Sequence, residues 1–285
     1  MSAAQKVPAR RVLALGALST FGPLSLDLYL PGLPQLTAAL DTSESLGQAS
    51  LSACLVGLAL GQLLVGPLSD RVGRRAPLLV GVALFTVSAA LCAVAPSIEV
   101  LLILRLLTGA GGATGIVVAR AMVRDLASGT AAARAFSQLM IVSGVAPVVA
   151  PLLGSQLLRV TDWRGVFLAL AGFGALLFVV ARTQGETLPE DRRQAGGLAV
   201  VGRALVTVAR DRGFVVPTLV LSLVFCGMFV YIGMGSFVLQ QGYGLGAQAF
   251  GIMFAVNALG VALAGRCSAV LVGRVGPCGC CRSRS

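Results

Sequence analysis

Histidine is absent from this 285-residue chain, and charged residues make up only 12% of it. The first absence removes Ser–His nucleophilic catalysis, histidine-ligated haem and most zinc enzymes. The second is incompatible with an ordinary soluble domain, which needs far more charge to cover its surface. Lysine occurs once, at Lys6, against 21 arginines. What is abundant is apolar: 56% of the residues are hydrophobic and the mean hydropathy is +0.90. An integral membrane protein follows.

The net charge of +11 raises the question of nucleic acid. A basic groove needs clustered charge with aromatic platforms, whereas here the arginines are divided among short segments between apolar runs, so no nucleic-acid partner is expected. The charge instead reads as topogenic. Of the seven cysteines, Cys54, Cys92 and Cys226 lie singly in apolar runs, where cysteine is a small filler, and no disulfide framework is implied. No cofactor and no metal site is expected: Cys278, Cys280 and Cys281 cluster near the end, but no second ligand pair has matching spacing.

A spanning helix needs about 20 apolar residues to cross roughly 30 Å of hydrocarbon. Eight stretches qualify, near Val12–Leu36, Leu46–Leu68, Pro77–Ala95, Ile98–Ala119, Phe136–Leu158, Val166–Ala181, Phe214–Leu239 and Ala249–Val272. The expected fold class is an all-α membrane protein. Lysine and arginine should concentrate in alternate, cytoplasmic loops. Of the 22, 19 fall on one side, Arg159 and Arg164 fall on the other, and Arg105 lies inside a span. Both termini are therefore expected in the cytoplasm of a cell with the protein in its plasma (inner) membrane.

The expected organisation is a cytoplasmic N-terminus over 1–11, a six-helix bundle over 12–181, a cytoplasmic loop over 182–213, helices seven and eight over 214–272, and an atypical tail over 273–285. The first span is not read as a signal peptide, because no small-residue cleavage site follows it and Pro23 and Asp27 interrupt it. A short echo crosses the central loop: Asp70-Arg71-Val72-Gly73 follows the second span and Gly273-Arg274-Val275-Gly276 follows the eighth. A six-helix unit begun twice would produce it, although four residues are equally compatible with coincidence.

Two ionisable residues fall well inside spans, Asp27 and Arg105. A charge at that depth costs several kcal/mol unless paired or wet, which marks both as functional candidates. At 1.5 Å per residue both lie about 10–12 Å below the outer end, so they are expected in one layer. Burial and a nearby guanidinium act on such a carboxyl in opposite directions. The sequence leaves open whether Asp27 carries protons or forms a static ion pair with Arg105.

The segment Gly66-Pro67-Leu68-Ser69-Asp70-Arg71-Val72-Gly73-Arg74-Arg75 joins the second and third spans. Pro67 interrupts the helix and Gly73 permits a tight turn. Asp70 and Arg74 are four apart and would face each other on a helical turn, and Asp125, at the inner end of the fourth span, is a further partner for Arg74. Such a cluster could act as a latch. In the fifth span Gly144, Pro147, Pro151 and Gly154 lie within an arc of about 80°, a stripe that reads as a hinge or seal or as tight packing. After Arg105, Thr108 and the glycines Gly109 and Gly112 allow close approach of another helix or a substrate. With Tyr29 they count as substrate-cavity candidates.

Taken together, the segments Leu26-Asp27-Leu28-Tyr29-Leu30-Pro31-Gly32-Leu33-Pro34, Gly66–Arg75, Leu104-Arg105, Met122-Val123-Arg124-Asp125, Ala146-Pro147, Ala150-Pro151 and Glu186-Thr187-Leu188-Pro189 resemble the drug:proton antiporters of the major facilitator superfamily, of the bicyclomycin- and chloramphenicol-resistance type. The resemblance covers about residues 10 to 276. It implies two six-helix bundles around a central cavity holding Asp27 and Arg105, a fifth-helix stripe marking antiport, and a monomer that exports amphipathic drugs in exchange for protons. An uptake symporter is the near alternative. An intramembrane aspartyl protease would need a second intramembrane aspartate, and no enzyme is expected. A family member has twelve spans, so the resemblance implies a complete N-terminal half plus about two helices of the second. The Gly-, Cys- and Arg-rich last residues lead to the expectation of a premature, frameshifted end, and a truncated fragment that does not transport is a further alternative.

Overall fold

In a computed structural model that describes residues 8–193, 202 and 206–275, every regular element is helical and no strand occurs among the described residues. The first span is broken into α1 (Ala9–Leu18), α2 (Phe21–Asp27), a 3-10 turn (Leu30–Gly32) and α3 (Leu33–Ala39). Longer helices follow: α4 (Glu44–Val72), α5 (Arg75–Ala93), α6 (Ile98–Leu126), α7 (Gly129–Leu157), α8 (Trp163–Arg182), α9 (Arg212–Phe237) and α10 (Ala247–Val275).

One expectation is corrected. The first span is not one continuous helix: its halves are bent by 42°. Proline supplies the reason, since Pro23 and Pro31 cannot donate to the carbonyls four residues earlier, at Ser19 and Asp27, and their rings crowd them. The helix breaks at Ser19 and ends at Asp27 accordingly. Six helices among the described residues are long and apolar enough to cross a membrane, seven with the bent pair as one span. The eighth expected span is present as α10.

Helix boundaries follow local chemistry. Ser43 caps α4 by accepting from the Leu46 amide, and Asp162 caps α8 by accepting from the amides of Arg164 and Gly165. The Asp162 cap starts α8 at Trp163, earlier than the expected Val166. The other end of α5 is closed by Arg164, whose Nη1 donates to the carbonyls of Ala93 and Ala95.

α4 packs along α6, while α5 lies between α6 and α8. This close stacking needs small residues. A Cβ on Gly57 would strike the Leu106 carbonyl, and one on Gly109 would strike the Cys54 carbonyl, so α4 and α6 touch backbone to backbone. Phe21, Phe85 and Phe173 fill the centre, with ring centroids 4.4 Å and 6.1 Å from Phe21. α7 packs against α1 on one side and α10 on the other. α9 is largely exposed, with Gly233, Ser236 and Phe237 buried near its end. Part of the expected 182–213 loop and residues 276–285 of the expected tail, with the last residue of the Gly273–Gly276 echo, lie outside the described residues.

Candidate functional site

The intramembrane layer is built by the broken first span. Asp27 ends α2, is 7% exposed, and makes no hydrogen bond or ion pair among the described residues. Arg105 is wholly buried on α6. Its Nη1 donates to Ser25 Oγ at 3.1 Å and its Nη2 to the Ser25 carbonyl at 2.9 Å. The guanidinium lies 4.4 Å from the Tyr29 ring centroid and 5.6 Å from that of Phe167. The Nε is buried without a hydrogen-bond partner.

The shared depth of Asp27 and Arg105 is therefore visible through Ser25 and Tyr29, which flank Asp27 in sequence. The ion pair left open above is not formed. Ser25 and Tyr29 are four residues apart and present one face to Arg105, whereas Asp27 stands about 200° round the helix from Ser25. A buried guanidinium without a carboxylate is held here by a carbonyl, a hydroxyl and two aromatic faces. Tyr29 is fixed in turn by Ser50, with its hydroxyl 2.9 Å from Ser50 Oγ.

The other cavity candidates sit at helix contacts. Thr108 is wholly buried and donates to the Leu104 carbonyl, with Ser88 Oγ 3.0 Å away. Gly109 faces the α4 backbone, and Gly112 has Phe85 and Phe21 at ordinary van der Waals distance.

A second cluster forms where α4 turns into α5. Gly73 ends α4 with φ of +98°, a left-handed conformation that glycine adopts without strain. The turn carries Arg74 inward, where it is 4% exposed. Its Nη1 is 2.6 Å from Asp70 Oδ1 and donates to Ser69 Oγ, and its Nε donates to Asp125 Oδ2 at 2.9 Å. Burial opposes the charge on Arg74, but Asp125 and Asp70 outweigh it and hold the guanidinium above its ordinary value. Arg71 and Arg75 are exposed, and their side chains make no ion pair among the described residues. Gly66 is half-buried, with only Val117 close to where a Cβ would stand.

Residues that the sequence reading did not single out complete this cluster. Glu186 Oε1 accepts from the Arg74 amide at 2.8 Å and Oε2 from the Arg75 amide at 3.2 Å. Thr187 Oγ1 donates to Asp125 Oδ2 at 3.1 Å. Burial would raise the Glu186 carboxyl, yet the amides of Leu188, Arg74, Arg75 and Thr187 overcome this and hold it below the usual glutamate value.

The α7 stripe divides into two parts. Gly144 is exposed with nothing nearby, while Gly154 lies against the Leu28 carbonyl. Pro147 is half-buried and Pro151 buried, and a Cβ on Gly251 of α10 would stand 3.0 Å from the Pro151 carbonyl. At the end of the bundle away from Arg74, α9 contacts the broken first span. Ser236 Oγ donates to the Leu30 carbonyl at 2.7 Å, and Gln240 Nε2 donates to the Pro31 carbonyl at 3.0 Å. The Leu30 carbonyl also accepts from the Leu33 amide that closes the 3-10 turn. Gln248 of α10 likewise donates to the Ser155 carbonyl on α7.

Such a bundle, with a buried arginine layer and a charged turn between its second and third spans, defines a polytopic helical membrane protein. The profile described as Major Facilitator Superfamily matches residues 12–280, and the chain belongs to that superfamily. It is 39% identical over 251 residues to the uncharacterized MFS-type transporter YdgK of Bacillus subtilis, covering 87% of this chain and 62% of that protein. It is 29% identical over 269 residues to the bicyclomycin resistance protein homolog of Haemophilus influenzae, covering 93% and 67% respectively. With the chloramphenicol resistance protein of Pseudomonas aeruginosa it shares 32% identity over 270 residues, covering 94% of this chain and 62% of that one. The chain thus spans about two thirds or less of the length of these relatives.

Among solved structures, the inward-facing, occupied form of a bacterial homologue of the human lysosomal transporter Spinster superposes with a TM-score of 0.77 at 18% identity, covering 93% of this chain and 61% of that one. A D-xylose–proton symporter gives 0.65 at 17% identity, covering 92% and 69%. At these identities the likeness is one of fold. Of these relatives, one is named as a transporter and two as resistance proteins.

Proposed function

We propose that the protein acts in proton-coupled efflux of amphipathic drugs, exchanging protons for compounds of the bicyclomycin or chloramphenicol kind across the plasma membrane. The observation that carries this reading is the Asp27 carboxyl, buried in the same layer as Arg105 and yet unpaired. A permanent ion pair would lock that carboxyl, whereas an unpaired one can take and give a proton as its surroundings change. Two relatives whose names carry bicyclomycin and chloramphenicol resistance supply the substrate class. The contacts of Ser236 and Gln240 with the first span, at the end opposite the Arg74 cluster, fit a carrier closed on one side. In this reading both termini are cytoplasmic, on the arginine distribution, and the protein works as a monomer.

Everted membrane vesicles containing the protein, energised with a pH gradient, test the reading. Labelled chloramphenicol should accumulate in them in a gradient-dependent way, and Asp27→Asn should abolish that accumulation. Gradient-driven movement in the opposite direction would make the protein a symporter. No movement in either direction would reject transport by this chain.

A further inference from the structure

The N-terminal end of α5 presents amides that have no intrahelical partner, and Arg74, its N-cap residue, makes no side-chain cap. The first turn of α5 also contains no acidic residue. The helix is nevertheless capped, from 112 residues away. One Glu186 carboxylate accepts from four backbone amides: Arg74 at 2.8 Å, Thr187 at 2.9 Å and Leu188 at 3.0 Å on Oε1, and Arg75 at 3.2 Å on Oε2. Negative charge at a helix N-terminus is also favoured by the helix dipole.

Two further observations aim this segment at the turn. A Cβ on Gly73 would come within 2.5 Å of Glu186 Oε2, so the carboxylate sits directly over the one glycine whose left-handed backbone makes the turn. Thr187 donates to the same Asp125 oxygen that accepts from Arg74 Nε. Leu188 is buried at 8% exposure and anchors the segment after α8.

We propose that Glu186 and Thr187 are positioning residues, a clamp carried by the end of the sixth span that fixes the Gly73–Arg75 turn and so keeps Arg74 directed onto Asp70 and Asp125. The clamp joins the ends of α4, α5, α6 and α8 through residues of the first 188 alone. The assignment deepens the transport reading but does not depend on it, because the turn's geometry can be measured without transport.

The experiment is amide hydrogen exchange on the purified full chain in detergent. Glu186→Ala should speed exchange in the segment 73–77 by about 10-fold or more, the scale of losing hydrogen bonds to a charged acceptor. Exchange in α6 and α8 should stay at the wild-type rate. Glu186→Gln keeps an Oε1 acceptor and should restore most of the protection, while Thr187→Ser should match wild type and Thr187→Val should not. If Glu186→Ala does not fold, Glu186→Met, which keeps the length of the side chain, takes its place. Unchanged exchange at 73–77 overturns the proposal, as does faster exchange spread evenly over the spans and not rescued by glutamine. In vesicles that transport, the alanine variant should lower kcat about 10-fold, on the same scale, with KM unchanged. Absence of transport in all forms, wild type included, rejects the efflux reading and leaves the clamp to be judged by exchange.

Discussion

Arg105 reaches across from α6 to hold both the hydroxyl and the carbonyl of Ser25, two residues before Asp27. The guanidinium is thereby committed to one face of α2, and the aspartate on the other face is left without a partner among the described residues. The arrangement separates a fixed charge from a free acid within one layer.

Asp27→Asn is expected to abolish gradient-driven export while leaving the protein as stable as before. No ion pair or hydrogen bond of the carboxylate is lost, so thermal unfolding in detergent should shift by less than the roughly 1 kcal/mol of an ordinary hydrogen bond. A large destabilisation would mean that Asp27 is structurally engaged.

Ser25→Ala should behave in the opposite way. It removes a hydroxyl that accepts from a fully buried guanidinium. The expected loss is about 1.5–3 kcal/mol, read as a lower unfolding temperature. Tyr29→Phe keeps the ring beneath Arg105 but loses the hydroxyl's contacts with Ser50 and with Arg105, so it should cost about 1–3 kcal/mol.

The two ends of the α7 stripe predict opposite outcomes for the same substitution. Gly144→Ala meets nothing within 4 Å and should be neutral or stabilise by about 0.5–1 kcal/mol through the lost backbone freedom of glycine. Gly154→Ala drives a methyl into the Leu28 carbonyl and should destabilise by about 1–3 kcal/mol. Thermal unfolding of the two variants side by side decides the matter.

Acid should weaken the Gly73–Arg75 turn through Glu186. Its carboxyl titrates below the ordinary value of 4.5, so the folded state favours the charged form. That contribution is complete above the ordinary value and is lost as pH falls through the lower, folded one. Wild type should therefore lose more stability than Glu186→Gln between neutral pH and values below 4.5. Parallel curves would show that the charge of Glu186 is not felt.

Gln240→Leu should loosen the contact between α9 and the first span, since Gln240 donates both to the Pro31 carbonyl and to Ser236. A cysteine introduced near Gly32 should then react faster with a membrane-impermeant thiol reagent. An unchanged rate would show that the contact does not limit access.

Much of the fold was legible because a spanning helix must be long and apolar, and that pattern is local. The Arg74–Asp70 pair was legible for the same reason, being one turn apart on a helix. Depth could be counted for Asp27 and Arg105, but azimuth could not, because three prolines cut the first span into pieces whose rotation depends on what they pack against. The ion pair was therefore left undecided in the sequence and is absent in the structure. Glu186 was legible only as part of a longer resemblance: a carboxylate that caps backbone amides 112 residues earlier leaves no periodicity to read. Gly109 shows the converse: its sequence fits a cavity wall or a helix contact equally, and the α4 backbone lies against it in the structure.

Because α4 and α6 meet through glycines with no side-chain layer between them, neither helix has a cushion over which to slide. Gly115 repeats the situation against the Leu18 carbonyl, and Gly111 against the Phe85 amide. The helices joined in this way have little room to slide past one another, whereas α9 and α10 meet them through the polar bonds of Ser236, Gln240 and Gln248, which can be exchanged for others without a change of packing.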